Sequence, residues 1–288
     1  TELNRAVKFG FTEAEMNRKI AEIKNSYETQ ISKINDFSHK RIISAIQQNY
    51  LENKTMTDIV EEYEIAKNIL NTLNIEEVNA TLKKLYTKEN RAIIVTGVKG
   101  NNNLTEEQAI AIIDEVENDN SITAYEDSFS GKTLISDVTI KEGKIVSEDY
   151  NKEIGATTFT LSNGVKVHYK FADKNENDVR LNATSYGGMS LLDDSELASA
   201  SLTTGVAQFS GLGDFSRLDL PKVLAGKTAS TAVSIGNLTE NVTGSSSTKD
   251  VETMLQMVHL RFKKPRFDED SYKVLMENVN NYLIRRSE

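Results

Sequence analysis

The chain has 288 residues, a length that can bury a substantial core and that usually corresponds to about two domains. Its hydrophobic share of 38% and charged share of 27% are typical of a water-soluble globular protein. The net charge of −9 argues against a nucleic-acid partner, because phosphate binding requires clustered lysines and arginines. The absence of cysteine excludes disulfide scaffolds, thiolate zinc sites and cysteine nucleophiles. Since the apolar runs are short, we expect no membrane-spanning segment.

Residues 1–116 carry the spacing of amphipathic helices. Thr12 and Glu15 form a capping box that predicts the start of a long helix. That helix has one apolar stripe with three- and four-residue spacing, formed by Ile20, Ile23, Tyr27, Ile31 and Ile34. Three further helices are predicted, at about residues 37–50, 56–73 and 75–85. A second cap, Thr105 with Gln108, begins the last helix of this half.

The helical pattern is interrupted and then weakens. Residues 91–97, RAIIVTG, are a short β-branched run ended by glycine, which predicts one buried strand. Between residues 117 and 155 acidic and small polar residues dominate, and only brief β-like stretches remain, at 134–135 and 138–140. We interpret residues 117–155 as an interdomain linker with an edge strand.

The second half begins as a β-hairpin. Alternating apolar residues flank Asn163-Gly164, and such a pair predicts a tight turn whose two central positions have positive φ. A third strand at 179–183 is ended by a glycine pair, and residues 228–235 alternate again. Helices are predicted at about residues 195–209, 216–226, 247–258 and 272–288. Strands and helices in separate runs predict an α+β fold.

The histidines do not form a recognisable metal motif. His39, His168 and His259 lie far apart in the sequence, and none has a second histidine or a glutamate at the helical spacing of a ligand pair. Because a zinc site needs several ligands that converge, we interpret each histidine as structural. The Gly-x-Ser-x-Gly turn that exposes a serine nucleophile does not occur either.

Two other local patterns have ordinary structural interpretations. Residues 210–213, SGLG, precede a short helix but lack the Gly-Lys-Ser/Thr ending of a phosphate-binding loop, so we interpret these glycines as turn residues. The adjacent acids Asp193-Asp194 and Glu61-Glu62 are interpreted as solvated surface. The sequence therefore contains no motif that carries chemistry by itself.

The hairpin begins a series of phrases that resembles a known family. Residues 160–167, TLSNGVKV, are similar to the LxNGLxV opening of each repeat in the pitrilysin/insulinase-type zinc peptidases, the M16 family. Later phrases resemble the same repeat, in order: Gly187-Gly188, residues 210–213 with Phe215, LAGK at 224–227 and PRFD at 265–268. The first half resembles the closing part of a preceding repeat, at residues 10–15, 75–79 and 90–95.

The resemblance implies a protein of four such α+β repeats around a chamber that holds a peptide. In the first repeat zinc would be bound by an inverted His-x-x-Glu-His motif and a distant glutamate, and the glutamate inside the motif would activate water. The equivalent helix here is about 195–209, and the motif positions fall near Leu202, Gly205 and Val206. These side chains can neither bind a metal nor move a proton. No catalytic, cofactor-binding or metal-binding residue is therefore carried over, and zinc is expected only in the parent protein.

We hypothesise that the chain joins two partial pitrilysin-like units of a larger protein, since its last helical pattern reaches residue 288 without a stop signal. Residues 1–116 would be the C-terminal part of one repeat, 117–155 the linker, and 156–288 the N-terminal part of the next, non-catalytic repeat. The expected role is to form and close the peptide chamber of a zinc peptidase. Its partners would then be the parent's remaining repeats and its peptide substrates.

One alternative stays open. The runner-up is that the chain belongs to a peptide-binding or assembly subunit whose parent has lost catalysis. A third possibility, an unrelated α+β enzyme, would require a clustered polar site that the sequence does not show. The resemblance also suggests a periplasmic or extracytoplasmic location.

Overall fold

The computed structural model describes residues 1–87, 89, 91–97, 100–101, 103–129, 131–135 and 140–287. Over these ranges the fold mixes helices and strands, with helices in the first half and two antiparallel three-stranded sheets in the second. None of the helices in these ranges is long and apolar enough to cross a membrane.

The described part of the first half contains six α-helices. They are α1 (Glu2–Phe9), α2 (Glu13–Ile31), α3 (His39–Glu52), α4 (Ile59–Thr72), α5 (Ile75–Leu85) and α6 (Glu106–Asn118). The five predicted helices are confirmed as α2 to α6, whereas α1 was not predicted. The capping box forms as predicted, since Thr12 Oγ1 accepts from the Glu15 N–H at 3.2 Å and Glu15 Oε2 accepts from the Thr12 N–H at 2.8 Å.

Helices α2 and α4 pack together through a reciprocal pair of tyrosines. The rings of Tyr27 and Tyr63 are stacked, with their centroids 5.3 Å apart. Each hydroxyl donates to a glutamate on the facing helix, Tyr27 to Glu62 at 2.9 Å and Tyr63 to Glu28 at 3.1 Å. Such an aromatic pair adds about 0.5–1.5 kcal/mol to the stability gained from burying its surface.

The predicted buried strand at residues 91–97 is wrong for this structure. The segment is neither helix nor strand, and Ile94 is 84% exposed. A β-branched run becomes a strand when a neighbouring strand offers hydrogen bonds and a packed face. No strand of the two sheets formed by the described residues pairs with this segment. Its local preference for β-structure is therefore not supported by hydrogen bonds from a neighbouring strand.

The segment predicted as a linker is packed at its start and becomes a strand at its end. Ile122 and Leu134 are buried, and β1 (Ile145–Asn151) lies at the edge of the first sheet. The predicted β-like stretch at 134–135 is a bend, because Leu134 turns into the hydrophobic core. Residues 138–139 of the other stretch lie outside the described ranges.

The first sheet has the order β1-β2-β3, with β2 (Ala156–Leu161) and β3 (Lys166–Tyr169) forming the predicted hairpin. Its loop is not the predicted one. The Leu161 N–H donates to the Val165 carbonyl, and the three residues between them include Gly164 at φ 85°. Asn163 does not share the positive φ, so this is a three-residue loop with glycine in the left-handed region.

The second sheet has the order β4-β6-β5, formed by β4 (Val179–Tyr186), β5 (Ala229–Ile235) and β6 (Thr239–Ser246). The sequence predicts β4 and β5 but not the central strand. In β6, TENVTGSS, Val242 is the only large apolar residue, so no alternation is visible. The strand is specified by antiparallel pairing with β4 along its full length and with β5 from Glu240 to Ser246.

Four α-helices complete the described second half: α7 (Leu197–Ser210), α8 (Leu220–Val223), α9 (Val251–Lys263) and α10 (Glu269–Ser287). All four are predicted, although α8 is shorter than expected. Helices α7 and α9 pack on β5, and α10 packs on α7. The core cluster of buried residues brings together the segment before β1, the turn after α7, and α9, through Leu134, Leu212, Phe215, Met257 and Leu260.

Candidate functional site

Helix α7 carries the three positions at which the family resemblance places a zinc motif. Leu202 is 36% exposed, and Gly205 faces α10, where a Cβ atom built on it would lie 3.8 Å from Leu275 Cδ2. Val206 contributes its carbonyl oxygen to a hydrogen bond from Ser210 Oγ at 2.8 Å, as expected inside a helix. Leucine, glycine and valine side chains have no oxygen, nitrogen or sulfur atom to offer a metal. The residues present do not fit zinc.

The three histidines lie in three different elements. His39 begins α3, His168 lies on β3 and His259 lies on α9. The Nδ1 atom of His168 is 2.9 Å from the hydroxyl of Thr158 on the neighbouring strand, a local cross-strand contact. Within the described ranges, no group of three or more His, Cys, Asp or Glu side chains could hold a metal ion.

The glycine-rich segment at 210–213 forms a braced turn. The backbone groups of Leu212 and Phe215 exchange hydrogen bonds of 2.9 and 3.0 Å. Gly211 has φ 108°, and a Cβ atom on it would lie 2.2 Å from the Phe215 carbonyl oxygen. Ser210 is fully buried, and its Oγ accepts from the Asp268 N–H at 3.0 Å. The interpretation of these glycines as turn residues is confirmed. Gly211 allows the backbone to approach closely, and the N–H groups of Leu212 and Phe215 are bonded within the turn.

A cleft of about 630 Å³ opens between α2 and the segment from Arg217 to Thr228. The α2 wall presents Glu22 and four uncharged polar side chains, namely Asn25, Ser26, Thr29 and Gln30. Two hydrogen-bonding contacts join the walls at one side, where Thr228 Oγ1 lies 2.8 Å from Asn25 Nδ2 and 3.4 Å from Thr29 Oγ1. The cleft therefore lies where the two halves of the chain meet.

A buried carboxylate fixes the end of the cleft wall that contains Thr228. Asp250 is 1% exposed, and its Oδ2 accepts from the Thr228 N–H at 2.9 Å and from Ser247 Oγ at 2.7 Å. Lys227 Nζ, beside the cleft, lies 3.4 Å from Asp250 Oδ1. Burial by itself would raise the pKa of Asp250, but these two hydrogen bonds and the lysine lower it below its ordinary value. The carboxylate therefore stays ionised and holds the backbone at Thr228.

Sequence reasoning missed this cleft. Its walls come from residues 22–30 and from residues 208–228, which are far apart in the chain, and neither segment carries a motif that indicates ligand binding. The only local signal was a single arginine, Arg217, beside a predicted short helix, and a lone arginine predicts nothing about a site.

The chain is similar to part of zinc proteases of the M16 type, so the predicted resemblance is confirmed. The probable zinc protease PqqL of Haemophilus influenzae is 22% identical over 279 residues, covering 95% of this chain and 29% of that protein. A zinc protease PQQL-like of Arabidopsis thaliana is 22% identical over 285 residues, covering 96% of this chain and 29% of that protein.

The fold itself has a solved counterpart. The crystal structure of the periplasmic protease PqqL from Escherichia coli matches 96% of this chain and 31% of that chain, with a TM-score of 0.50 and 16% identity. No protein-family model matches the chain. The chain thus spans less than a third of the length of the relatives it matches.

Proposed function

We propose that this chain is a non-catalytic region of an M16-type zinc peptidase and helps to form and close its peptide-binding chamber. One observation carries the proposal. Nearly the whole chain is similar to less than a third of proteins named as zinc proteases, while its α7 presents Leu202, Gly205 and Val206 where the family resemblance places the metal motif. Hydrolysis by zinc needs a metal and a base beside one water, so the parent's chemistry would reside in the remainder of its length.

The arrangement proposed for the chain is two partial repeats. Residues 1–116 would close one pitrilysin-like unit and residues 156–288 would open the next, with 117–155 joining them. The difference between a helical first half and a sheet-containing second half supports this division. Because residues near the start of the connecting segment are buried, this segment packs against the units as well as connecting them.

Exposed apolar faces support a role inside a larger assembly. On α3, Ile42, Ile46 and Tyr50 recur every four residues and are each about half or more exposed. On the first sheet, Tyr150 and Tyr169 flank the same position of β2 and are also more than half exposed. Contiguous exposed apolar surface of this kind is typical of interaction sites. We assign these faces to contacts with the parent's remaining repeats.

The exposed strand-forming run at residues 91–97 fits the same proposal. An extended apolar segment in water gains stability when a sheet edge pairs with it. A sheet supplied by the parent's remaining repeats would provide that edge. The location proposed for the parent is periplasmic or otherwise extracytoplasmic, by analogy with the Escherichia coli relative, which is described as a periplasmic protease.

The second candidate is a peptide-binding or assembly subunit whose parent has lost catalysis. It is favoured by the same observation on α7, because the absence of donor side chains there is equally expected in a parent without chemistry. The two candidates differ in one feature of the parent, the presence of His-x-x-Glu-His upstream of this region.

The direct experiment is a cleavage assay with a quenched-fluorescent peptide library. The 288-residue chain and its full-length parent are each tested with and without a metal chelator. The proposal expects chelator-sensitive cleavage by the parent and none by the chain. Chelator-sensitive cleavage by the chain alone would overturn it, and a parent that binds peptides without ever cutting them would support the subunit alternative.

A further inference from the structure

The cleft between α2 and the segment from Arg217 to Thr228 has the chemistry of a binding site. We propose that it binds a carboxylate of a peptide, either the C-terminal carboxylate or an aspartate or glutamate side chain, with Arg217 as the principal contact. The choice of a peptide as the ligand rests on the proposed function. The carboxylate specificity rests on the cleft itself.

Arg217 is held in place by an aromatic ring and not by an acid. Its guanidinium carbon lies 4.1 Å from the centroid of the Phe209 ring. None of the ion pairs formed among the described residues includes Arg217, although it lines the cleft. Stacking on a ring fixes the guanidinium plane and leaves its edge of N–H donors free. That edge matches the two oxygens of a carboxylate.

The other charged groups that line the cleft already have partners. Glu22 pairs with Lys19 at 3.0 Å on the surface of α2. Lys227 pairs with the buried Asp250 at 3.4 Å. The lining therefore contains one uncompensated positive charge, at Arg217, in a chain whose net charge is −9. An anion is the ligand that balances it.

Other polar side chains around the cleft add hydrogen-bonding groups, and one of them is held in a fixed orientation. Gln30 on α2 lines the cleft, and its Oε1 accepts from Arg41 Nη2 at 2.7 Å. Its Nε2 donates to the Ser26 carbonyl oxygen at 3.4 Å, so contacts at both ends orient the Gln30 amide group. Ser26 and Gln208 also line the cleft and can donate to carboxylate or peptide carbonyl oxygens.

The size of the cleft suits a short piece of peptide. Its volume of about 630 Å³ lies within the roughly 300–1,000 Å³ typical of small-ligand sites. The backbone around it is braced at two points, because Gly211 belongs to the hydrogen-bonded turn and the Thr228 N–H is bonded to Asp250. A preformed site loses little freedom when its ligand binds.

The test is calorimetric titration of the 288-residue chain with four synthetic hexapeptides. Two have the same neutral sequence and end in a free carboxylate or in an amide. Two are amidated and carry either two internal glutamates or two glutamines at the same positions. The free-acid peptide should bind at least about tenfold more tightly than its amide if the terminal carboxylate is recognised. The glutamate peptide should exceed its glutamine counterpart if side chains are recognised.

Arg217→Gln should abolish whichever preference is found, and Arg217→Lys should retain only part of it, because lysine keeps the charge without the two-pronged geometry. The matched control is Arg180→Gln, which removes the same charge from an exposed position paired with Asp178 outside the cleft. It should leave the preference unchanged. Circular dichroism of each variant checks that the fold persists.

Equal binding of charged and neutral peptides, the same preference in Arg217→Gln, or no binding of any of the four would each overturn the proposal. These outcomes concern binding by the chain alone. They are therefore distinguishable from failure of the chamber proposal, which is decided by cleavage in the full-length parent.

Discussion

Arg18 on α2 and Asp127 form an ion pair in which Nη1 and Oδ2 are 2.5 Å apart, and their side chains are only 18% and 8% exposed. The other carboxylate oxygen of Asp127 accepts from the Phe129 N–H at 3.0 Å. The Phe129 ring in turn packs near Phe215, with the centroids 6.4 Å apart. The segment after α6 is thus fastened to the helical half by a charge and to the sheet-containing half by an aromatic contact.

Asp127→Asn is expected to destabilise the chain. The substitution leaves a largely buried guanidinium without its counter-ion, which should lower the free energy of unfolding by about 3 kcal/mol. Urea denaturation followed by circular dichroism measures the change. The control is Glu2→Gln, which breaks the exposed pair with Arg5 and should cost at most about 0.5 kcal/mol. Equal losses in the two variants would contradict the structural role given to Asp127.

Asp250 is expected to make stability depend on pH on the acid side. Its pKa is lowered in the folded state, as burial is outweighed by the Thr228 and Ser247 hydrogen bonds and by Lys227. The unfolded chain, with an aspartate pKa of about 3.9, therefore binds the proton first. The contribution is fully present above that value and is lost as the pH falls through the lower folded pKa.

Asp250→Asn should accordingly lower the free energy of unfolding by about 2 kcal/mol at neutral pH and by progressively less below about pH 4. Urea titrations at several pH values between neutrality and acid measure the difference from the unaltered chain. The exposed Asp194→Asn serves as the control and should give a small difference throughout. A loss in Asp250→Asn that stays constant with pH would contradict the assignment.

Two glycines of the second half are expected to respond oppositely to alanine. Gly205 lies inside α7 with room for a Cβ atom, so Gly205→Ala should stabilise the chain by about 0.5–1 kcal/mol. Gly211 has φ 108° and its Cβ atom would meet the Phe215 carbonyl at 2.2 Å. Gly211→Ala should therefore destabilise by about 2 kcal/mol or more. Thermal unfolding of both variants decides the matter, and a stable Gly211→Ala chain would show that the braced turn is dispensable.

Limited digestion with trypsin is expected to begin in the segment between the proposed units. Lys141 is exposed and lies outside helices and strands, whereas the packed residues near Leu134 are protected by burial. The first cut should follow Lys141, because unprotected backbone enters a protease most easily. Mass spectrometry identifies the product. Lys141→Gln should delay that cut, while Lys83→Gln on α5 should not, and a first cut inside α2 or α9 would argue against two units.

Local features of the fold were predictable from the sequence, and features made by distant partners were not. The Thr12 capping box and the β2–β3 hairpin depend on neighbours in the chain, so their residue types predict both, although the loop of the hairpin differs from the predicted two-residue turn. Strand β6 has little apolar alternation and exists because two strands flank it. Residues 91–97 have the opposite property, because their residue types favour a strand but no strand among the described residues pairs with them.

The candidate site follows the same distinction. The absence of donor atoms at Leu202, Gly205 and Val206 can be read from the residue types once the family resemblance supplies the positions. The carboxylate cleft cannot, because it needs α2 to lie against the segment around Arg217. Only the folded chain brings a lone arginine and the polar face of α2 together.

The central claim, that this chain contributes structure and no metal centre to a zinc peptidase, is tested most directly by elemental analysis. The purified 288-residue chain is loaded with zinc, dialysed, and measured beside its full-length parent. The account predicts about one zinc ion per molecule of parent and far less than one per molecule of the chain, because tight zinc binding needs three or four converging ligands. About one tightly held zinc per molecule of the isolated chain would contradict it.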